Sequence, residues 1–345
     1  MYKSIIRPIL FLLSPERVHH LVVFAVKFGF KIPGVAKLIA LAYRVNSPSL
    51  VTKVAGLTFQ NPVGLAAGFD KDATFYNEFS AFGFGFIEIG TVTPKAQPGN
   101  PKPRSFRLPK DGALINRMGF NNLGVDNAVK NLAKARRKGM VIGGNIGKNT
   151  QTPNERAVSD YEYAFRILYP HVDYLVINIS CPNVANLRNL QDKDSLGNIL
   201  DALSEIRRKQ TVYKPIFLKV SPDLTIEHLD ETLETASKYG VDGFIATNTT
   251  TSRENLNSPN ALVAAIGNGG LSGKPIAQRS TEVIRYIREK QPTTPIIGVG
   301  GIFTPEDALE KIEAGANLVQ IYTGFIYSGP SLVKKINKEL LRKAK

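Results

Sequence analysis

Cysteine is almost absent from this sequence, which has 345 residues and only Cys181. A single thiol cannot form an internal disulfide, and no cluster has the spacing of zinc ligands, so the sequence indicates a reducing compartment. Histidine is also rare, and none of its four residues lies near the polar loops described below: His19, His20, His171 and His228. No pair of carboxylates suits glycoside hydrolysis. We therefore expect neither a histidine-based triad nor a metal site.

Long apolar runs and acidic residues are scarce as well. A helix that spans a membrane needs about 20 uninterrupted apolar residues, and the sequence has no such run. The chain has 44 Lys and Arg against 29 Asp and Glu, which gives a net charge of +15. This charge suits an anionic membrane surface or an anionic small ligand. Nucleic acid is not expected, because the basic residues are scattered and form no known nucleic-acid-binding module.

Residues 1–45 differ from the rest and are expected to form an N-terminal helical arm, with residues 46–345 as the main domain. The arm has seven Lys and Arg against Glu16 alone, and Ser14-Pro15 and Ile32-Pro33-Gly34 interrupt its apolar clusters. Ser14 followed by Pro15 predicts a helix start with a serine cap. No small-residue cleavage site follows the first apolar run, so a secretory signal is not expected. Two interpretations stay open: helices that pack on the main domain, or a basic amphipathic element in a membrane interface.

From residue 50 onward one pattern recurs, in which a short apolar strand stops at a cluster of Gly, Asn, Thr or Lys and a helical stretch usually follows. Eight strand ends have this form: 65–71, 87–91, 144–149, 178–183, 217–221, 245–249, 297–301 and 319–324. Eight β/α units close a barrel, so we predict an α/β fold, a (β/α)8 TIM barrel with an N-terminal helical extension. An open doubly wound sheet is the competing fold, but no dinucleotide fingerprint opens the domain.

Two of the predicted connections are long. Residues 93–127 are rich in proline and contain Asn116-Arg-Met-Gly-Phe-Asn-Asn122, and residues 250–279 contain Gly267-Asn-Gly-Gly-Leu-Ser-Gly273. Loops of this length in a compact domain are usually active-site lids or disordered segments. Their polar side chains and glycines favour lids.

The strand ends carry the residues that suggest chemistry. Cys181 lies just beyond a buried strand that must end at Pro182, which makes it a candidate base or nucleophile, with a buried structural thiol as the alternative. Gly300-Gly301 and Tyr322-Thr323-Gly324 follow the seventh and eighth strands, where barrels commonly bind phosphate through backbone N–H groups.

Lysines and asparagines complete this set. Lys71, Lys148 and Lys219 lie at or near strand ends, and Lys219, between two apolar residues, is expected to neutralise an anionic ring or ligand. Asparagines recur in the same loops, and their amides suit a planar ligand with amide and carboxylate groups: Asn116, Asn121, Asn145, Asn178, Asn183 and Asn248. The residues thus indicate a phosphate-bearing cofactor, an amide-like anionic substrate and Cys181 as base or nucleophile.

Several stretches together resemble the dihydroorotate dehydrogenase family over nearly the whole chain. They are Leu65-Ala-Ala-Gly-Phe-Asp-Lys71-Asp, Glu88-Ile-Gly-Thr91-Val-Thr-Pro, Asn116-Arg-Met-Gly-Phe-Asn-Asn122, Asn178-Ile-Ser-Cys-Pro-Asn183, Ala246-Thr-Asn-Thr-Thr250 and Gly269-Gly-Leu-Ser-Gly273. Members of this family are FMN-dependent (β/α)8 barrels of pyrimidine biosynthesis that oxidise (S)-dihydroorotate to orotate. The helical arm is similar to that of the quinone-reducing, membrane-associated class, in which the arm lines a tunnel from the membrane to the flavin.

The resemblance implies a role for each matching position. FMN would be held by Ala67, Gly68, Lys71, Thr91, Asn145, Asn178, Lys219, Thr247, Gly273, Gly301, Tyr322 and Thr323. Dihydroorotate would be held by Lys71, Asn116, Arg117, Met118, Gly119, Phe120, Asn178, Asn183, Asn248 and Thr249. The quinone site would be bordered by His19, Arg107 and Tyr322. Hydride would pass from C6 of the substrate to the flavin while Cys181 takes a proton from C5.

Cys181 and Val184 depart from the quinone class, which normally has a serine and a threonine at these positions. Cysteine followed by Pro-Asn-Val resembles the soluble class that passes electrons to fumarate. The arm and the Asn116 to Asn122 loop, which resemble the quinone class, cover more sequence than the two departures at Cys181 and Val184. The resemblance therefore implies a membrane quinone as electron acceptor, and peripheral attachment to the cytoplasmic face of the cell membrane. The alternatives are a soluble fumarate-dependent enzyme with an arm that only packs, and a non-catalytic membrane-associated flavin-binding protein.

Overall fold

A computed structural model of the chain describes residues 2–134, 139–180, 183 and 187–343. Within these residues the strands are β1 (Thr52–Val54), β2 (Leu57–Phe59), β3 (Val63–Leu65), β4 (Phe86–Val92), β5 (Ser105–Leu108), β6 (Ala113–Asn116), β7 (Val141–Ile146), β8 (Tyr174–Ile177), β9 (Ile216–Val220), β10 (Gly243–Ala246), β11 (Gly270–Gly273), β12 (Ile296–Val299) and β13 (Leu318–Ile321).

The α-helices of the described residues are α1 (Arg7–Phe11), α2 (Pro15–Gly29), α3 (Val35–Tyr43), α4 (Tyr76–Phe79), α5 (Val125–Leu132), α6 (Ala157–Leu168), α7 (Lys193–Arg208), α8 (Ile226–Lys238), α9 (Asn260–Ile266), α10 (Ala277–Lys290), α11 (Pro305–Glu313), α12 (Thr323–Ser328) and α13 (Ser331–Lys343). A turn of π-helix, Tyr2–Ile6, precedes α1.

Eight parallel strands close into a barrel in the order β3, β4, β7, β8, β9, β10, β12 and β13, with β13 paired back to β3. These strands end at the eight predicted positions, so the predicted (β/α)8 barrel is confirmed and the doubly wound sheet is wrong. The strands are short and apolar because both of their faces are covered. The carboxyl ends of all eight meet at one mouth of the barrel, where the predicted site residues follow them.

The opposite end of the barrel is covered by the antiparallel hairpin of β1 and β2, which was not predicted from the sequence. Phe59 of the hairpin packs edge-on against Phe86 with ring centroids 5.1 Å apart, and Tyr174 and Phe217 fill the interior beside them. A Cβ at Gly143 would lie 2.2 Å from the Tyr174 ring, so this strand needs glycine.

The two long loops are ordered by a sheet of their own. β6 pairs antiparallel with β5 on one side and with β11 on the other, which joins residues of the first loop to residues of the second. Asp111 fastens the second loop further, because its carboxylate accepts hydrogen bonds from Ser258 N–H at 3.2 Å and from the Asn257 N–H. The loops are therefore lids with regular structure rather than disordered segments.

The arm forms helices on either side of the two predicted breaks, α1 and α2 around Ser14-Pro15 and α2 and α3 around the second break. Pro15 is the first residue of α2, as predicted, but the Ser14 side chain makes no capping hydrogen bond. Instead, the backbone carbonyl of Ser14 accepts a hydrogen bond from Val18 N–H at 3.0 Å. The prediction that the Ser14 side chain caps the helix is therefore wrong. Proline at the first helical position marks the start of α2 instead.

The arm has two different faces. Val23, Val26 and Ile39 pack against the barrel core. The outward side chains are apolar and exposed, with 85% of Leu12 and 69% of Phe24 accessible to solvent. Among the described residues no single helix is long and apolar enough to cross a membrane, and Tyr2–Phe11 with Pro15–Gly29 would meet that length only as a pair bent by 120°.

Candidate active site

A cavity of about 360 Å³ lies between the mouth of the barrel and helix α2 of the arm. Its floor and walls come from the carboxyl ends of β3, β4, β8, β9, β10, β12 and β13, from several of the loops that follow them, and from the strand β11 of the lid sheet. Helix α2 covers one side with Glu16, His19, His20 and Val23. The cavity therefore joins the strand ends to the arm, as the resemblance implies.

Nearly all the residues predicted for FMN and dihydroorotate line this cavity. They are Ala67, Gly68, Lys71, Thr91, Asn116, Met118, Gly119, Phe120, Asn178, Asn183, Lys219, Thr247, Asn248, Thr249, Gly273, Gly301, Tyr322 and Thr323. Asn145 and Arg117 do not line it. Asn145 lies one step behind, where its Oδ1 accepts a hydrogen bond from Thr91 Oγ1 at 2.6 Å. Arg117 points to the lid, donating to the carbonyls of Ile266 and Asn268.

Two lysines bring positive charge to the cavity. Lys71 Nζ donates to the carbonyl of Gly68 at 2.9 Å, and burial in the cavity lowers its pKa to about 8. Lys219 is buried between Leu218 and Val220, as predicted, and its amine donates to no described residue. Lys148, the third candidate, turns away and donates to the carbonyl of Thr152 at 2.7 Å. Lys71 and Lys219 are thus the cations available to an anionic ligand.

The asparagines hydrogen-bond to one another around the cavity. Asn183 Nδ2 donates to Asn116 Oδ1 at 3.1 Å, and Asn183 Oδ1 accepts from Gly270 N–H at 3.1 Å. Asn248 Nδ2 donates to Asn178 Oδ1 at 3.2 Å. Asn121 is different, since it does not reach this network although it lines the same cavity. Linked amides give a ligand both donors and acceptors at defined positions.

Cys181, the predicted base, and Val184 lie outside the described residues, but the chain is anchored on both sides of Cys181. Ser180 Oγ donates to the carbonyl of Lys219 at 2.8 Å and accepts from Asn248 Nδ2 at 3.0 Å. On the other side, Asn183 contacts Asn116 and also the lid, because its carbonyl accepts from Asn100 Nδ2 at 3.1 Å. Ser180 and Asn183 are therefore both held at the mouth of the cavity.

Of the three residues predicted to border the quinone site, His19 and Tyr322 line the cavity and Arg107 does not. The His19 ring packs against Phe69, and burial together with the nearby Lys71 cation lowers its pKa to about 4. Burial raises the pKa of Tyr322 to about 12, so its hydroxyl remains protonated. The His19 and Tyr322 side chains below α2 are therefore aromatic and uncharged at neutral pH.

Charged side chains fasten the arm over the cavity. Glu16 accepts a hydrogen bond from the Arg104 guanidinium at 2.8 Å. Burial alone would raise the pKa of Glu16, but the bond and charge of Arg104 hold it below its ordinary value. Arg107 donates to the carbonyl of Leu13 at 2.6 Å, and its guanidinium lies 4.4 Å from the ring centre of Phe11. Arg107 therefore holds the arm rather than facing the cavity.

Several lining residues were not anticipated from the sequence, among them Glu16, Phe69, Ser272 and Gln320. Gln320 carried a signal, because it is a polar residue in the otherwise apolar strand Leu318–Ile321. The others lie in stretches whose partners are distant in sequence. Residues 2–134, 139–180, 183 and 187–343 contain no group of three side chains suited to a metal ion.

Known proteins resemble this chain over nearly its whole length. The family model for dihydroorotate dehydrogenase matches residues 49–343. A relative from Christiangramia forsetii, named dihydroorotate dehydrogenase (quinone), is 54% identical over 344 residues, which cover 99% of both chains. A relative of the same name from Idiomarina loihiensis is 47% identical over 342 residues, covering 98% of this chain and 99% of that protein.

Solved structures show the same similarity. The structure of DHODH from Eimeria tenella in complex with ferulenol superimposes with a TM-score of 0.86 at 38% identity, covering 96% of this chain and 91% of that one. The ligand-free structure from the same organism gives a TM-score of 0.85 over 95% of this chain. The family model and these relatives extend over nearly the whole chain, and this protein belongs to the dihydroorotate dehydrogenase family.

Proposed function

We propose that this protein oxidises (S)-dihydroorotate to orotate in the de novo synthesis of the pyrimidine nucleotide UMP, with FMN as hydride acceptor and a membrane quinone as final electron acceptor. The observation that carries the proposal is the cavity, which joins an amide-lined barrel mouth to an aromatic end beneath the arm. The names of the relatives from Christiangramia forsetii and Idiomarina loihiensis support the quinone.

The residues at the strand ends fit FMN. Thr247 Oγ1 and Gln320 Oε1 are buried at the cavity and have no hydrogen-bond partner among the described residues, so each offers a polar atom to a ligand. Gly301 has a φ of +76° and Gly324 has no room for a side chain, since a Cβ there would meet the Ile302 carbonyl oxygen at 1.7 Å. Glycine at both positions brings backbone to the cavity wall, where a phosphate is bound by N–H groups.

Each part of the cofactor has a set of residues to hold it. Gly301, Tyr322 and Thr323 would hold the phosphate, and Thr91, Asn178, Lys219 and Thr247 would hold the ring, with Asn145 supporting them from behind. Ala67, Gly68 and Gly273 supply backbone beside these side chains. When bound, FMN supplies the two-electron acceptor that the oxidation of a C–C bond requires. The Lys219 ammonium would supply positive charge beside the bound ring, which favours its reduced, more electron-rich form.

Dihydroorotate carries a carboxylate and a ring with amide groups, which matches the remaining lining residues. The Lys71 ammonium pairs with the carboxylate, and the amides of Asn116, Asn183 and Asn248 bind the ring amides. Oxidation removes a hydride from C6 and a proton from C5, and the thiolate of Cys181 takes that proton. Thr249 and the backbone from Met118 to Phe120 close the cavity around the substrate.

The arm supports membrane attachment, which we propose is peripheral and on the cytoplasmic face of the cell membrane. Its outward side chains are apolar, and basic residues such as Lys3, Lys27 and Lys31 stand among them. Apolar side chains lie in the boundary of a bilayer while lysines reach anionic headgroups. A quinone that leaves the bilayer would then meet the aromatic end of the cavity near His19.

A comparison of electron acceptors tests the proposal. Purified protein should show a flavin spectrum that dihydroorotate bleaches anaerobically and that a quinone restores much faster than fumarate does. Faster recovery with fumarate would favour the soluble alternative, to which Cys181 and Val184 point. A bound flavin that dihydroorotate never bleaches would instead favour the non-catalytic flavin-binding protein.

The lowered pKa of Lys71 predicts how orotate binding depends on pH. Below pH 8 the free amine is already protonated, so affinity should be constant; above pH 8 the free protein must gain a proton to bind the carboxylate, because an anion raises the pKa of a neighbouring amine. Affinity should then fall up to about tenfold per pH unit until the pKa of the complex is reached. Titration of orotate between pH 6 and 10 measures this.

Lys71→Arg is the matched control, since arginine keeps its charge throughout this range. Its affinity for orotate should not change between pH 8 and 10, and Lys71→Met should bind weakly at every pH. The role of Lys71 in binding the carboxylate would be contradicted if the orotate affinity of the wild type did not change above pH 8. It would also be contradicted if Lys71→Arg lost affinity over the same pH range as the wild type.

A further inference from the structure

A buried carboxylate lies behind the cavity and has no part in the roles given above. Glu88 is on β4, whose seven residues are all buried, and its exposed fraction is 0%. Glu88 Oε1 accepts a hydrogen bond from Asn145 Nδ2 at 2.8 Å, and Oε2 accepts from Gln320 Nε2 at 2.6 Å and from the Tyr174 hydroxyl at 3.5 Å. No Lys or Arg of the described residues forms an ion pair with it. Three neutral donors therefore compensate the carboxylate.

A carboxylate fixes the direction of the amides that contact it. Each carboxamide has a donating and an accepting end, whereas an ionised carboxylate only accepts. Asn145 must therefore turn its Nδ2 to Glu88, which places its Oδ1 on the side of the cavity. There Asn145 Oδ1 accepts from Thr91 Oγ1 at 2.6 Å and from Asn178 Nδ2 at 3.3 Å.

The same constraint passes to the next amides. Because Asn178 donates toward Asn145 and Thr91, its Oδ1 faces the other way and accepts from Asn248 Nδ2 at 3.2 Å. Asn248 Oδ1 in turn accepts from Thr249 N–H at 2.9 Å. Three successive amides thus point in one direction, starting from Glu88.

Glu88 acts on Gln320 as well. Because Gln320 Nε2 donates to Glu88, the other end of the Gln320 amide, Oε1, faces away from the carboxylate. Gln320 Oε1 is buried at the cavity and has no hydrogen-bond partner among the described residues. Reversing Gln320 would set oxygen against oxygen at Glu88. The cavity therefore gains an acceptor at this position as a direct result of the carboxylate.

We infer that Glu88 is a positioning residue, which sets the orientation of the amides of Asn145, Asn178, Asn248 and Gln320 and so decides where the cavity offers donors and acceptors to its ligands. The identity of those ligands rests on the function proposed above. The direction of the amides depends only on the hydrogen bonds of the chain itself.

Glu88→Gln tests the inference because it keeps size and shape but replaces one accepting end by a donating one. Asn145 and Gln320 both donate to Glu88, so one of them must reverse or lose its bond. The loss of about one hydrogen bond to the cofactor should weaken FMN binding to the apoprotein about tenfold or more. Fluorescence quenching of added FMN measures the dissociation constant without reference to turnover.

A second variant distinguishes orientation from packing. In Glu88→Gln/Gln320→Glu the carboxylate moves from β4 to β13, which lies on the other side of β3. The new amide at position 88 donates to it, and the carbonyl at position 88 again accepts from Asn145 Nδ2. The double variant should therefore recover most of the lost FMN affinity. Gln320→Glu alone, which places two carboxylates side by side, should bind FMN more weakly than the double variant and unfold at lower urea concentration.

Urea unfolding of the four flavin-free proteins separates this inference from the proposed function. Strong non-additivity, with the double variant more stable than Gln320→Glu, is expected whether or not FMN is the cofactor. Wild-type protein that fails to bind FMN would overturn the proposed function alone. Additive effects on stability, or a double variant that binds FMN no better than Glu88→Gln, would overturn the positioning role.

Discussion

Replacing Cys181 with alanine should slow the bleaching of bound flavin by dihydroorotate by about 10²–10⁴-fold, while the flavin stays bound. The reason is that the proton on C5 then has no base, although Lys71 and the asparagines proposed to hold the substrate are unchanged. Anaerobic stopped-flow measurement of flavin absorbance gives this rate. Wild-type bleaching in Cys181→Ala would remove the cysteine from the role of base.

The identity of the base also predicts a pH profile. A thiol of ordinary pKa about 8.5 is a few per cent ionised at neutral pH, whereas a serine hydroxyl is essentially never ionised. The bleaching rate should rise with pH through one ionisation near that value, lower if the Lys71 ammonium stabilises the thiolate. A base that ionises by itself also needs no relay, which agrees with valine at position 184.

Cys181→Ser provides the matched comparison. It should remain slow, and Cys181→Ser/Val184→Thr should be faster than Cys181→Ser, because a serine base requires the threonine relay of the quinone class. The two changes should therefore be strongly non-additive. Equal rates in the single and double serine variants would contradict the coupling of positions 181 and 184.

The barrel could be predicted because each of its strands has a signal within a few consecutive residues. An apolar run such as Tyr174–Ile177, followed by the polar residue Asn178, predicts both the strand and the side chains that follow it, whatever its neighbours are. The breaks between the helices of the arm, at Ser14-Pro15 and at Pro33-Gly34, are likewise marked by consecutive residues. These features need no knowledge of distant contacts, and the structure confirms the elements on both sides of them.

The lid sheet could not be predicted because it depends on distant pairing. Ser272 of β11 pairs with Leu114 of β6, more than 150 residues away, and each strand has only four residues. Prolines before β5 also hide the strand signal. The hairpin of β1 and β2 was missed for a related reason, since three-residue strands are too short to show alternation.

The direction in which a side chain points also could not be predicted from the sequence. The sequence placed Arg107 and Arg117 in loops that reach the cavity, but their guanidinium groups bind carbonyls of the arm and the lid. Glu88 appeared in the sequence only as part of a motif. A single acidic residue in a buried strand is a signal that a structural partner exists, although the sequence does not say which amides it contacts.

Removing the apolar outer face of the arm should abolish binding to anionic liposomes. Four of its outward side chains are each more than 60% exposed: Leu12, Phe24, Phe28 and Leu38. Burying such a side chain stabilises binding by about 1.5–3 kcal/mol, so changing all four to glutamate costs several powers of ten in affinity. Sedimentation with liposomes measures the loss. Val212→Glu/Leu262→Glu, on exposed apolar residues outside the arm, is the control and should bind like the wild type.

The same fourfold variant should separate the two halves of the reaction. Dihydroorotate should still bleach the flavin at the wild-type rate, because Lys71 and the asparagines are untouched. Reduction of a long-chain quinone in liposomes should fall at least tenfold, because under the proposed function the quinone would reach the cavity from the bilayer beneath the arm. A short water-soluble quinone should be reduced normally. Deleting residues 1–45 should abolish reduction of the long-chain quinone and leave FMN bound. Full turnover of the long-chain quinone by either protein would show that the quinone does not enter through the arm.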